Sequence, residues 1–196
     1  MASLPRRHLL QALAGLGVGL YRPAHGEPAP RDLAFWQLLR EGGCVVLMRH
    51  AQTVAGLGDP PGFRLGDCST QRNLSAAGRE QARQLGVAFA REGVHVDEVR
   101  SSAWCRCTET AHLAFGRHTV WAPANSFFQG GDGAAQAREM GRFVREWPTP
   151  RNAVIVTHQV NMTALTGGFP AMGELFLLRP DDARDGRWPV LARHIP

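Results

Sequence analysis

Arg49 and His50 stand side by side after the apolar run Cys44-Val45-Val46-Leu47-Met48. A guanidinium fork matches the oxygens of a phosphoryl group, and a neutral imidazole beside it is a nucleophile that can accept that group. His158 closes a second apolar run, Ala153-Val154-Ile155-Val156-Thr157, and a third segment, Val96 to Ser102, is followed at short range by Arg106. Two arginines and two histidines converging on strand ends would make a phosphate pocket. Each signal has an ordinary counterpart. An Arg-His pair can simply close a strand, and Arg106 with Glu109 three residues on has the spacing of an intrahelical ion pair worth a few tenths of a kcal/mol. His158 alone could be a satisfied structural histidine.

The elements that must position these residues are legible around them. Gly42-Gly43 followed by five apolar residues predicts a buried parallel strand, and the C-terminal ends of such strands are where open α/β sheets bind ligands. Asp32 to Arg40 predicts a short amphipathic helix leading into it. Val54 to Arg72 predicts a long Gly- and Pro-rich loop, which leaves the catalytic strand end and would wall the pocket. Ser75 is a natural N-cap for a helix to about Glu92, stopped by Gly93, with Ala82, Leu85 and Phe89 facing the sheet. A helix N-terminus after Ser101-Ser102 would attract anions near Arg106. Further on, 116–120 predicts a short strand, 131–147 a helix broken by Pro148 and Pro150, 161–166 a short helix, 173–179 a strand and 189–195 an edge strand.

Four separated stretches together carry a resemblance: Arg49-His50-Ala51, Leu74-Ser75 with Gly78-Arg79-Glu80-Gln81-Ala82, Ser101-Ser102 with Arg106, and Thr157-His158. In order and context they resemble the histidine phosphatase superfamily, whose best-known members are the cofactor-dependent phosphoglycerate mutases. The resemblance runs from about Gly42 to Arg179. It implies an α/β three-layer sandwich, a mostly parallel central sheet flanked by helices, without a cofactor. It also implies His50 as nucleophile, with Arg49, Arg106 and His158 holding the phosphoryl oxygens and Glu109 orienting Arg106.

The chain departs from the family pattern in two places. Ala51 stands where the family has glycine, so a backbone N–H would have to reach the phosphate past a methyl group. Many members place an acid in the segment corresponding to 121–132, and only Asp132 offers a carboxylate there. Asp132 is either that general acid or the N-cap of the following helix. Some small members resembling phosphohistidine phosphatases lack such an acid, and a good leaving group needs none.

Composition narrows the class. The chain has 196 residues, enough for one domain with a sizeable core. Pro5-Arg6-Arg7, an apolar run to Leu20 and Ala24-His25-Gly26 predict a signal peptide of twin-arginine type over residues 1–26, ahead of a single domain over 27–196. The apolar run, about 12 residues, falls short of the roughly 20 that span a bilayer, so no stable membrane insertion is expected after its removal. The domain is then expected in the periplasm or secreted. Without Arg6, Arg7 and Arg22 the 22 basic and 17 acidic residues become 19 against 17, and no basic run suggests nucleic acid. All basic residues are arginine.

Four cysteines in an exported chain make at least one disulfide the expectation. Cys44 reads as a buried thiol, while a bridge from loop residue Cys68 to Cys105 or Cys107 would pin the loop beside the site. No Cys/His cluster suggests a metal. His95, His112, His118 and His194 have no motif context. The function expected is therefore a phosphatase acting on a small phosphorylated substrate, such as a sugar phosphate or a lipopolysaccharide-type saccharide. The alternative is an exported phosphate-binding module without turnover.

Overall fold

The computed structural model describes residues 30–180 and 186–196; the leader expected over residues 1–26 lies outside them. The elements follow as α1 (Pro30–Glu41), β1 (Val45–Arg49), α2 (Ala76–Arg91), β2 (Glu98–Ser101), α3 (Cys105–Phe115), β3 (Thr119–Val120), α4 (Gly133–Glu146), β4 (Ala153–Thr157), α5 (Gln159–Thr166), β5 (Leu175–Leu178) and β6 (Ala192–His194). The strands form one sheet in the order β3-β2-β4-β1-β5-β6. The pairs β3–β2, β2–β4 and β4–β1 are parallel, whereas β5 runs antiparallel to both β1 and β6. The sheet is mixed, mostly parallel.

β1 and β4 are buried along their length because both faces of the sheet are covered. Side chains alternate between faces with the two-residue period of a strand. Val46, Met48, Val154 and Val156 meet Trp36 of α1, Leu85 and Phe89 of α2 and Cys107 and Ala111 of α3. Val45, Leu47 and Ile155 meet Met140 and Val144 of α4 and Met162 and Leu165 of α5. Truncating Leu47, which has no exposed surface, to alanine would cost about 2–5 kcal/mol.

This packing sets the strand ends. β1 and β4 pair in register from Val45 with Ala153 to Arg49 with Thr157, so His50 and His158 leave neighbouring strands side by side. The His50 N–H donates to Thr157 O (3.0 Å) and the Ser102 N–H to Val156 O (3.0 Å), carrying the ladder one step beyond each strand. α2 approaches this edge closely. Its cap Ser75 accepts from the Gly78 N–H at 3.0 Å, and a Cβ at Gly78 would lie 1.8 Å from Gln52 O, so only glycine lets the first turn sit against the chain leaving β1.

The expected elements are present with shifted ends: α5 begins two residues earlier, directly after His158, and β3 is only two residues long. Residues 54–72 form the long loop, closed by a short 3₁₀ turn at Cys68–Thr70. Cys68 is bridged to Cys105, while Cys44 and Cys107 are buried thiols. No described helix is long and apolar enough to cross a membrane.

Candidate active site

Arg49, His50, Arg106 and His158 line one cavity of about 80 Å³ at the C-terminal ends of β1 and β4. Asp132 is not brought there. Its carboxylate accepts from the Ala135 N–H at 2.9 Å and caps α4, the helix-cap alternative of the two open for it.

His50 is 3% exposed and is held by its own chain. Its Nδ1 lies 2.9 Å from Ala51 O, and a carbonyl only accepts, so Nδ1 carries the proton. Burial, reinforced by Arg106, Arg49 and Arg72 and only partly offset by the Ala51 bond, pushes its pKa down to about 3. The ring is therefore neutral at pH 7, with its lone pair on Nε2. His158 is held neutral in the same way, with its pKa well below the ordinary range through burial, then His50 and the arginines. Its Nε2 shares a 2.8 Å hydrogen bond with the Ser102 hydroxyl, which also accepts from the Trp104 N–H. The two imidazoles lie 5.5 Å apart between centroids, so Ser102 fixes one ring and Ala51 the other. Cys107 Sγ lies 3.5 Å from His158 Nε2, and burial pushes its pKa up to about 12, which keeps it an inert thiol.

Arg106 does not pair with Glu109. Its Nη1 donates to Asp59 Oδ1 at 2.7 Å, while Glu109 binds Arg79 of α2 at 2.6 Å. Arg106 is buried, while Glu109 is part-exposed on the α2 side of α3. Asp59 also accepts from the Trp104 indole (2.9 Å) and the Arg72 N–H (2.9 Å). Its burial raises its pKa, but these hydrogen bonds and the Arg106 charge outweigh that and hold it below the usual carboxylate range. Asp59 is thus an ionised anchor.

Arg72 is a third guanidinium lining the cavity; its Nε donates to Gly58 O (2.8 Å) and its Nη1 to Thr53 Oγ1. Asp59 and Arg72 were not singled out from the sequence, since both lie in the Gly/Pro-rich loop; the loop's exit from a catalytic strand end was the signal that could have found them. The expected approach of the Ala51 N–H to a phosphate is also corrected. That N–H donates to Thr110 Oγ1 at 3.1 Å, and the Ala51 methyl packs with Leu74 and Ala82.

Three arginines against one aspartate leave two net positive charges around the neutral His50 ring. Arg49 Nε and Arg106 Nε are buried without a hydrogen-bond partner among the described residues, while Arg49 Nη1 is fixed on Pro170 O at 2.8 Å. Buried donors are ordinarily satisfied, so these two unpartnered N–H groups are exceptions, and both belong to guanidiniums that line the cavity. Among the described residues no three His, Cys, Asp or Glu side chains cluster as metal ligands would.

Residues 45–127 match the model of the histidine phosphatase superfamily (branch 1), a span that holds Arg49, His50 and Arg106. No curated protein sequence matches the chain. Among solved structures, SixA from Agrobacterium tumefaciens, a candidate phosphohistidine phosphatase, superposes with a TM-score of 0.52 at 21% identity, covering 79% of this chain and 99% of that one. The protein histidine phosphatase SixA complexed with tungstate gives 0.51 at 15% identity, covering 78% and 97%. A candidate alpha-ribazole-5'-P phosphatase from Escherichia coli gives 0.53 at 16%, covering 77% and 95%. The chain shares the fold of these structures, a phosphoglycerate mutase-like α/β fold.

Proposed function

We propose that this protein hydrolyses phosphomonoesters or phosphoramidates through a phosphohistidine formed on His50. The observation that carries the proposal is the pairing of a neutral His50, its Nδ1 tied to Ala51 O, with the guanidiniums of Arg49, Arg72 and Arg106 around one cavity. His50 Nε2 attacks phosphorus in line, the bond to the leaving atom breaks, and that atom departs with the electron pair and takes a proton from solvent. Water then attacks phosphorus from the vacated side, the N–P bond breaks with its electron pair returning to His50 Nε2, and inorganic phosphate leaves as the water's proton passes to solvent. For a loose transition state, positioning and charge stabilisation do most of the work; Arg49, Arg72 and Arg106 supply both, and the neutral His158 ring contributes to positioning. Two net positive charges match a phosphoryl dianion of about −1.5 to −2 at neutral pH.

Asp59, ion-paired and ionised, is a poor proton donor, and no other carboxylate lines the cavity among the described residues. That favours leaving groups that depart without an acid, such as aryl oxygens or phosphoramidate nitrogens, and it is also the observation behind a second reading, a phosphate-binding module without turnover. Pre-steady-state kinetics on a set of phosphomonoesters separates the two. Sustained turnover supports the enzyme, whereas intact binding of phosphate or vanadate with at most one equivalent of product supports the module. The proposed substrate is therefore a phosphomonoester or phosphoramidate whose leaving group departs without an acid; a sugar phosphate or lipopolysaccharide-type saccharide, the class expected from the sequence, would leave as an alkoxide and would need a proton donor from solvent.

The periplasmic or secreted location is likewise proposed, from the residues 1–26 leader. A reporter fused to residues 1–29 should leave the cytoplasm only with Arg6 and Arg7 intact. Equal export with two lysines would assign the general secretory route instead.

A further inference from the structure

The cavity has two chemically distinct ends. The charged side chains that line it, Arg49, Arg72, Arg106 and Asp59, gather around His50: Asp59 binds both Arg106 and the Arg72 backbone, and all three guanidiniums act on the His50 ring. The rest of the lining carries no charge. Leu57 and Phe128 stand at its mouth, 87% and 54% exposed, and Val160, Gln129 and Gln159 belong to the same uncharged lining. Leu57 and Phe128 come from separate loops that are held together: the Gln129 amide donates to Asp59 O at 3.3 Å, and a Cβ at Gly58 would touch the Phe128 ring at 3.5 Å. Large apolar side chains left in water at the rim of a polar pocket mark a contact surface for a ligand.

We propose that this mouth selects an uncharged leaving group with an apolar ring or chain, and rejects one carrying a second anionic group. The reason is charge balance together with desolvation. A bound phosphoryl dianion neutralises the two net positive charges of the arginine end, so a further carboxylate or phosphate meets no net attraction. It would also lose hydration against Leu57 and Phe128 with no cation to replace the lost water. A neutral ring instead covers both side chains and keeps its hydroxyls or edge for the two glutamines.

The proposal rests on the phosphoryl group occupying the arginine end, as in the proposed function, but not on turnover. It is tested by calorimetric binding of methylphosphonate, benzylphosphonate and 4-carboxybenzylphosphonate to the full chain, at a pH where all three phosphonates are dianions. Benzylphosphonate should bind at least tenfold more tightly than either of the others. Phe128→Ala and Leu57→Ser should each bring benzylphosphonate toward methylphosphonate, leaving methylphosphonate affinity unchanged. Equal or tighter binding of the carboxylate ligand, or a benzyl preference untouched by both substitutions, overturns the mouth assignment alone. Failure of all three ligands to bind overturns the phosphoryl site, and the proposed function with it.

Discussion

Asp59 and Arg106 form an ion pair of 2.7 Å in which neither side chain is more than 5% exposed. Removing one partner of such a pair leaves an uncompensated buried charge, which costs about 3–5 kcal/mol, more than the pair itself contributes. Asp59→Ala should therefore lower stability by that amount in urea unfolding, while the Asp59→Ala/Arg106→Ala double variant should lose clearly less than the sum of the singles. Additive losses would mean the two side chains act independently.

Arg106→Ala should lower kcat/KM by two or more orders of magnitude, about 3 kcal/mol or more of transition-state stabilisation. Glu109→Gln should change it little, because Glu109 holds Arg79 rather than Arg106. Steady-state kinetics of the two variants on one aryl phosphate checks both, and a larger loss at Glu109 would reinstate it as the residue that orients Arg106.

Asp132→Asn keeps a side chain able to cap α4, whereas Asp132→Ala should cost about 1 kcal/mol of stability. Both variants should turn over alkyl and aryl phosphates at the parent rate. A selective loss on the alkyl ester would make Asp132 the proton donor in spite of its place outside the cavity.

Acid should destabilise the protein through its buried histidines. His50 is kept neutral by a folded-state pKa of about 3, below the unfolded value, so between those two pKa values the unfolded chain binds more protons. Stability is complete above about pH 6.5 and falls as the pH drops from there toward 3. His50 alone should account for about 2 kcal/mol between pH 6.5 and 4.5. His158 acts in the same direction. Denaturant melts across that range should show the slope, and His50→Gln should flatten it; an unchanged slope in that variant would contradict a neutral buried His50.

The parts of the site legible in sequence were those fixed by strand ends. His50, His158 and Ser102 sit where they do because strands end there, and Arg106 follows in the first turn of α3. Asp59 and Arg72 were not legible, since partner choice in a Gly- and Pro-rich loop depends on the tertiary path of the chain. That path is set partly by the Cys68–Cys105 bridge, which sequence left open between Cys105 and Cys107. Glu109 shows the converse failure. Its spacing from Arg106 suits an ion pair, but Arg106 turns into the cavity and α2 presents Arg79 to Glu109 instead. The sheet's antiparallel β5 also follows from packing, because Leu175 to Leu178 carry no directional signal of their own.

The central claim is that the phosphoryl group is carried on His50. Rapid acid-free quenching of the full chain with a phosphorus-labelled aryl phosphate, followed by peptide mapping, tests it directly. The label should be acid-labile, alkali-stable and confined to the peptide containing His50, and it should vanish in His50→Ala while that variant still binds inorganic phosphate. Label on His158, or undiminished labelling of His50→Ala, would contradict it.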